Sequence, residues 1–356
     1  MPRTPRPRTS RTPRARASRG LVAAVAVAGT AAAALLPSTG ATAASLPQAR
    51  VFMVNPVQSS GDQTLSDHKD AASDVPASAY ALATLRNLDA SGKLSGKWVT
   101  VRSETGNPAS VAAATTYNRS NDEFEQVMAY FWINEAQEYL QSLGFGTELR
   151  GANDRVQAVR LNQWGADNSF FTDKKGEIRL GKGGVDDAED ADVIVHEYGH
   201  AVHNAQVPGF GTTAESGAIG EAFGDYLAVA VGTNAATRYG WPLKADANCV
   251  GDWDSTAYST APHCLRTIDG DKTYADREGE VHADGEIWSR ALLDIRTALG
   301  ARTADRIIVN AQFDFAADTS FEAAAKATVA TAQKMYGASA ANAVRAAFQA
   351  RQIPGV

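Results

Sequence analysis

The residues best equipped for chemistry stand at His196-Glu197-Tyr198-Gly199-His200. On a helix, a four-residue spacing puts both imidazoles on one face a turn apart, where they can grip a single Zn²⁺, with Glu197 beside them as a base. A catalytic zinc site takes three protein ligands and keeps one position open to water, and a rigid helix fixes two of them. The chain must therefore supply one more. Glu221 and Asp225, in the stretch Glu215-Ser-Gly-Ala-Ile-Gly-Glu-Ala-Phe-Gly-Asp225, are again four apart. A helix there aims both carboxylates at one place, one at the metal and the other at a ligand histidine. With six histidines in 356 residues, a chance HExxH is expected on the order of once in a hundred or more such chains, before any downstream carboxylate pair is required.

The elements that must hold these residues are legible in outline. Short apolar pieces at Val51–Val54 and Lys97–Val101, broken by turns such as Asn55-Pro56 and Gly106-Asn-Pro108, read as strands and loops. Asn121–Leu143 changes to helical periodicity, with Phe124, Val127, Met128, Phe131, Tyr139, Leu140 and Leu143 on its apolar side, Asn121 or Asp122 as cap and Gly144 as stop. Between Arg155 and Leu180 alternation predicts strands around the turn Asp173-Lys-Lys-Gly176. The acidic run Asp186, Asp187, Glu189, Asp190 and Asp192 reads as favourable charge at the start of the zinc helix, in preference to a calcium site. A further helix covers Glu280–Ile295, and from about Ala304 to Gln352 three helices are expected, broken near Asp318–Ser320 and Gly337.

Composition narrows the class. Residues 1–20 hold seven arginines and no acid, and run into an apolar stretch from Leu21 to Leu36 and a small-residue site at Ala41-Thr-Ala43. This is the pattern of an export signal cut near Ala43/Ala44. Taking those seven arginines from the 34 Lys and Arg leaves 27 against 40 Asp and Glu, a net charge of −13 rather than −6. Such a balance argues against nucleic acid and anionic membranes as partners. Cys249 and Cys264 are the only cysteines, and in an exported chain they are expected to close one local disulfide.

His196-Glu-Tyr-Gly-His200 followed by Glu215–Asp225 resembles the thermolysin-like zinc peptidases, or gluzincins, and together with Glu280-Val-His-Ala-Asp-Gly-Glu-Ile-Trp288 resembles the fungalysin branch in particular. The resemblance implies His196, His200 and Glu221 as ligands of one Zn²⁺, Glu197 as base, Asp225 as the carboxylate holding a ligand histidine, and His282 as the histidine that steadies the oxyanion. Asp167-Asn-Ser-Phe-Phe171 is similar to the edge-strand segment that holds the substrate backbone in that family, with Asn168 at the contact position. Two departures stand out. The family's oxyanion-assisting tyrosine falls on Thr212, and although Asp192 matches a Ca²⁺-binding aspartate, the acidic partners expected after Glu221 fall near Gly232 and Gly240, which speaks against a calcium pair.

The expected protein is a two-lobe α+β thermolysin-like zincin: a signal peptide over residues 1–43, an N-terminal α+β lobe over 44–205 ending in the zinc helix, and a helical C-terminal lobe over 206–356. It is expected to be a secreted monomeric endopeptidase acting on peptides or proteins, with no membrane anchor once the signal is removed. A zinc aminopeptidase and a non-catalytic secreted protein retaining the fold are the rivals. A metzincin is disfavoured, because its third histidine would fall on Gln206 and its glycine on His203.

Overall fold

The computed structural model describes residues 46–162 and 165–356, so the signal segment expected over residues 1–43 lies outside the described residues. The chain opens with β1 (Gln48–Phe52), the short helix α1 (Pro56–Ser60) and β2 (Tyr80–Thr84), with β1 and β2 paired antiparallel from Gln48↔Thr84 to Phe52↔Tyr80. Then come β3 (Val99–Ser103) and the 21-residue helix α2 (Asp122–Ser142). The strand β2 was not among those expected. Its Leu82 points outward, 62% exposed, so the apolar alternation that marks a half-buried strand is blurred.

Every residue of the predicted apolar side of α2 is buried, yet burial also reaches its other faces, including Glu125, Gln126, Trp132, Asn134 and Gln137. Buried polar groups need partners, and all but Glu125, one of whose oxygens accepts no hydrogen bond, find them. Gln126 accepts from the Ala109 N–H at 2.9 Å and donates to the Asn107 carbonyl at 2.9 Å, while Gln137 accepts from the Tyr198 hydroxyl. The last bond ties α2 to the middle of the His196–His200 motif. Asn121 occupies the cap position, but its side chain accepts from the Asn118 N–H rather than from the helix.

A four-stranded sheet follows, built from β3, β4 (Gln157–Leu161), β5 (Phe170–Thr172) and β6 (Glu177–Leu180) in the order β3-β4-β6-β5. The first three strands run parallel, and β5 returns antiparallel along the edge through the predicted turn at residues 173–176. An edge strand leaves one row of backbone groups without a ladder partner in the sheet.

Helix α3 (Ala191–Gln206) carries the motif. Asp190 caps it by accepting the Asp192 N–H at 2.9 Å, and Val207-Pro208 ends it because the residue before a proline avoids helical backbone. Helix α4 (Ala214–Tyr239) starts in a reciprocal Thr213/Ser216 capping box and stops at Gly240, whose φ of 65° suits a left-handed cap. A β-ribbon of β7 (Cys249–Val250) and β8 (Arg266–Thr267) leads to α5 (Val281–Leu299), α6 (Ala301–Ala311), α7 (Phe321–Tyr336) and α8 (Ala338–Ala350). The C-terminal breaks fall where expected, at the Ser320 cap and at Gly337. The fold is α+β, with its sheets mostly in the N-terminal region and helices dominating the C-terminal one.

Helices α3 and α4 cross with almost no side chain between them. A Cβ added at Gly199 would stand 2.8 Å from the Gly224 Cα, and one added at Gly224 would stand 2.6 Å from the His196 ring. Gly220 likewise leaves its side of α4 open to the His200 ring. Gly199→Ala is therefore expected to lower stability by about 1–3 kcal/mol and to reduce metal content, read by thermal unfolding and by metal analysis of the purified protein. Unchanged melting and unchanged metal would show that the contact does not constrain the crossing.

Candidate metal centre

Helix geometry sets the two α3 imidazoles side by side, with Nε2 of His196 and Nε2 of His200 3.2 Å apart. From α4, Glu221 places one carboxylate oxygen 3.1 Å from Nε2 of His196 and the other 3.5 Å from Nε2 of His200. One ligand atom from each of the three residues falls within 4.8 Å of the others. One turn along α4, Asp225 stands 2.7 Å from Nδ1 of His196, which suits that nitrogen as the donor and leaves Nε2 to face Glu221 and the metal position.

This donor set fits a divalent metal. Two imidazole nitrogens and a carboxylate converge there, and the nearer Glu221 oxygen, though buried, accepts no well-aligned hydrogen bond. Burial would raise the Glu221 carboxyl, but the His200 and His196 rings hold it well below the usual carboxylate range. Burial pushes His200 down to about 4, so its ring stays neutral, the form that binds metal.

Glu197 is buried beside this group, and one of its oxygens has no hydrogen-bond partner. Burial pushes its carboxyl up to about 7; the His196 ring opposes the rise, while Glu221 and Asp187 add to it. A base whose pKa lies near neutrality is well matched to proton transfer at neutral pH. His282, at the start of α5, brings Nε2 to 3.3 Å from Glu221, while Glu280, the α5 cap, accepts from its Nδ1 at 2.7 Å and from the Ala283 N–H at 2.8 Å. Asn168 is exposed, two residues before the edge strand β5. It lines both of the cavities, of about 450 and 380 Å³, that meet at His196, Glu197 and His282.

Thr212 stands apart from both cavities, with its hydroxyl on the Ala317 carbonyl at 3.2 Å. His203 is buried between the rings of Phe210 and Phe223, and burial keeps it neutral by pushing it down to about 3. The acidic run finds a partner the spacing did not suggest. Asp190 and Asp192 meet Asp252, with carboxylate oxygens within 4.8 Å of one another, rather than anything near Gly232 or Gly240. Asn55 donates to Asp190 at 3.2 Å and also to Asp252, Gln58 donates to Asp252 at 2.9 Å, and the backbone N–H groups of Gly251 and Trp253 complete the knot at 3.2 Å.

Arg266 was not anticipated. Its guanidinium grips Asp225 with two bonds of 2.7 Å, which outweigh burial and hold that carboxylate well below its ordinary range. Forty-one residues separate the two, and no periodicity links them. What brings them together is the cysteine pair, bonded between Cys249 and Cys264, and the ribbon that sets Val250 opposite Arg266. Glu280 was also missed, although a carboxylate two residues before a histidine at a helix start is a readable signal.

Residues 209–353 match the family model for the alpha-helical domain of thermolysin metallopeptidases. The Extracellular metalloproteinase MEP of Fusarium vanettenii is 28% identical over 127 residues, which cover 31% of this chain and 18% of that protein, so the match spans less than a fifth of the relative. Among solved structures, the precursor of protealysin, a metalloproteinase from Serratia proteamaculans, superposes with a TM-score of 0.51 at 18% identity, covering 72% of this chain and 86% of its own, a likeness of fold. These findings bear out the resemblance drawn from the motifs.

Arg266→Met leaves Asp225 as a buried carboxylate whose partner is the His196 ring alone. It is expected to weaken Zn²⁺ binding by about 10- to 100-fold, measured by competition with a chromogenic chelator. An affinity equal to wild type would remove Arg266 from the metal centre.

Proposed function

We propose that this chain, whose helical C-terminal region matches the thermolysin metallopeptidases, is a secreted endopeptidase that binds one Zn²⁺ and hydrolyses internal peptide bonds. The observation that carries this reading is the convergence of His196, His200 and Glu221, with Glu197 beside them, at the meeting point of two cavities. Room on both sides of the centre suits a substrate that continues in both directions, which favours an endopeptidase over an aminopeptidase. Export is supported by the basic and apolar leader in the sequence and by the name of the extracellular relative. No helix among the described residues is long and apolar enough to cross a membrane.

His196, His200 and Glu221 would hold the Zn²⁺, which would supply Lewis acidity for activating water and polarising a carbonyl near neutral pH. Glu197 takes the proton of the attacking water on its unpartnered oxygen and hands it to the leaving amine. His282, fixed through Nδ1 by Glu280, presents Nε2 to the carbonyl oxygen as negative charge develops there. The β5 segment, with Asn168 at its head, lines the larger cavity, where an extended substrate would run beside it.

An internally quenched, N-acetylated peptide is expected to be cleaved, with activity abolished by a zinc chelator and restored by Zn²⁺. Glu197→Gln is expected to lose about 10²- to 10⁴-fold in kcat with zinc content unchanged. Zinc-loaded Glu197→Gln protein with full activity would sink the mechanism. Cleavage of peptides only when their amino terminus is free would favour the aminopeptidase.

A further inference from the structure

The two cavities at the centre differ in character. The larger is walled by Phe170, Phe171, Phe210 and Val281. The other, of about 380 Å³, holds Asp167, Asp187 and Asp254, whose carboxylate oxygens can lie within 4.8 Å of one another, between the apolar walls Val193, Val250 and Leu265. Asp187 and Asp254 are 2% and 5% exposed. Their neutral partners are few. The Ser169 hydroxyl donates to one Asp187 oxygen and the Tyr258 hydroxyl to Asp254, while the second Asp187 oxygen is buried without any partner.

Arg266 also lines this pocket, but its guanidinium is engaged through two nitrogens with Asp225. Burial pushes the Asp187 carboxyl up to about 8 and that of Asp254 to about 7, and the charge of Asp254 adds to the rise at Asp187. Buried carboxylates this close together are costly to ionise unless a cation joins them.

We propose that this pocket receives the cationic side chain of a substrate residue next to the scissile bond, so that the enzyme cleaves beside lysine or arginine. The inference rests on the peptidase reading and adds the substrate class to it. The aliphatic stem of the side chain lies along Val193, Val250 and Leu265, and its ammonium or guanidinium donates to the unpartnered Asp187 oxygen and to Asp254. A free α-amino group offers the same charge without the stem. The apolar walls of the pocket favour the side chain.

The test uses the zinc-loaded chain and N-acetylated quenched peptides that carry Lys, Arg, Leu or Glu on either side of the scissile bond. Lys and Arg are expected to exceed Leu by about 10- to 100-fold in kcat/KM at one of the two positions, with Glu the poorest. In the Asp187→Asn, Asp254→Asn double variant, this ratio is expected to fall to within about threefold while the Leu peptide is still cleaved. A ratio taken within one preparation is insensitive to partial misfolding. A second readout does not need turnover: N-acetyl-arginine amide is expected to raise the Tm of the Glu197→Gln protein and to leave it unmoved when both aspartates are also replaced.

A preference for Leu, a ratio unchanged in the double variant, or cleavage that requires a free amino terminus whatever the side chain would each overturn the proposal. So would Ca²⁺ binding to these aspartates in place of the arginine amide. If no peptide is cut, the peptidase reading fails by itself, and the melting measurement still decides the pocket.

Discussion

The centre depends on how closely two helices approach. Because Gly199 faces Gly224 with no Cβ on either side, α3 and α4 meet backbone to backbone, and the carboxylates of α4 come within hydrogen-bond reach of the imidazoles of α3. A side chain at Gly199 would press on the Gly224 backbone, and one of the two helices would have to shift. The approach is braced from outside: Tyr198 reaches α2 through Gln137, and Gly285 of α5 lets that helix sit against the Glu221 turn of α4. The metal ligands thus stand on rigid elements whose spacing is set by packing, a requirement for a site that must hold its geometry.

Donors and acceptors alternate along one buried chain. Glu221 faces His196, His196 donates to Asp225, and Asp225 accepts from Arg266, so neither carboxylate is left without a partner. The other end of α3 follows a different rule. Three carboxylates converge at its N-terminus, where the helix dipole, the amides of Asn55 and Gln58, and the backbone N–H groups of Gly251, Trp253 and Asp254 supply the compensating positive ends. The same acidic stretch that caps α3 through Asp190 lends Asp187 to the substrate side.

Local signals carried a large part of this architecture. The four-residue spacings of His196 with His200 and of Glu221 with Asp225 encode a shared helix face, and both pairs converge as that spacing requires. The α2 helix and the breaks between α6, α7 and α8 were legible for the same reason, since periodicity and caps are short-range features. What escaped the sequence was long-range. Arg266, Asp252 and Asp254 reach their partners through the fold, from a loop whose Asp, Gly and Ser content reads only as a turn-rich connection. Leu82 hid β2 by facing solvent, and the burial of the polar face of α2 depends on partners from distant segments, which periodicity does not encode.

The covalent clip between Cys249 and Cys264 closes the loop from which Arg266 emerges two residues later. The backbone of that arginine is held further by a ribbon of two residues per strand. The thiol chemistry of the surroundings is therefore coupled to how firmly the metal's outer anchor is held. In an oxidising medium Arg266 is delivered by a closed ring, whereas in a reducing one it hangs from an open strand, and the hold of Asp225 on His196 slackens with it.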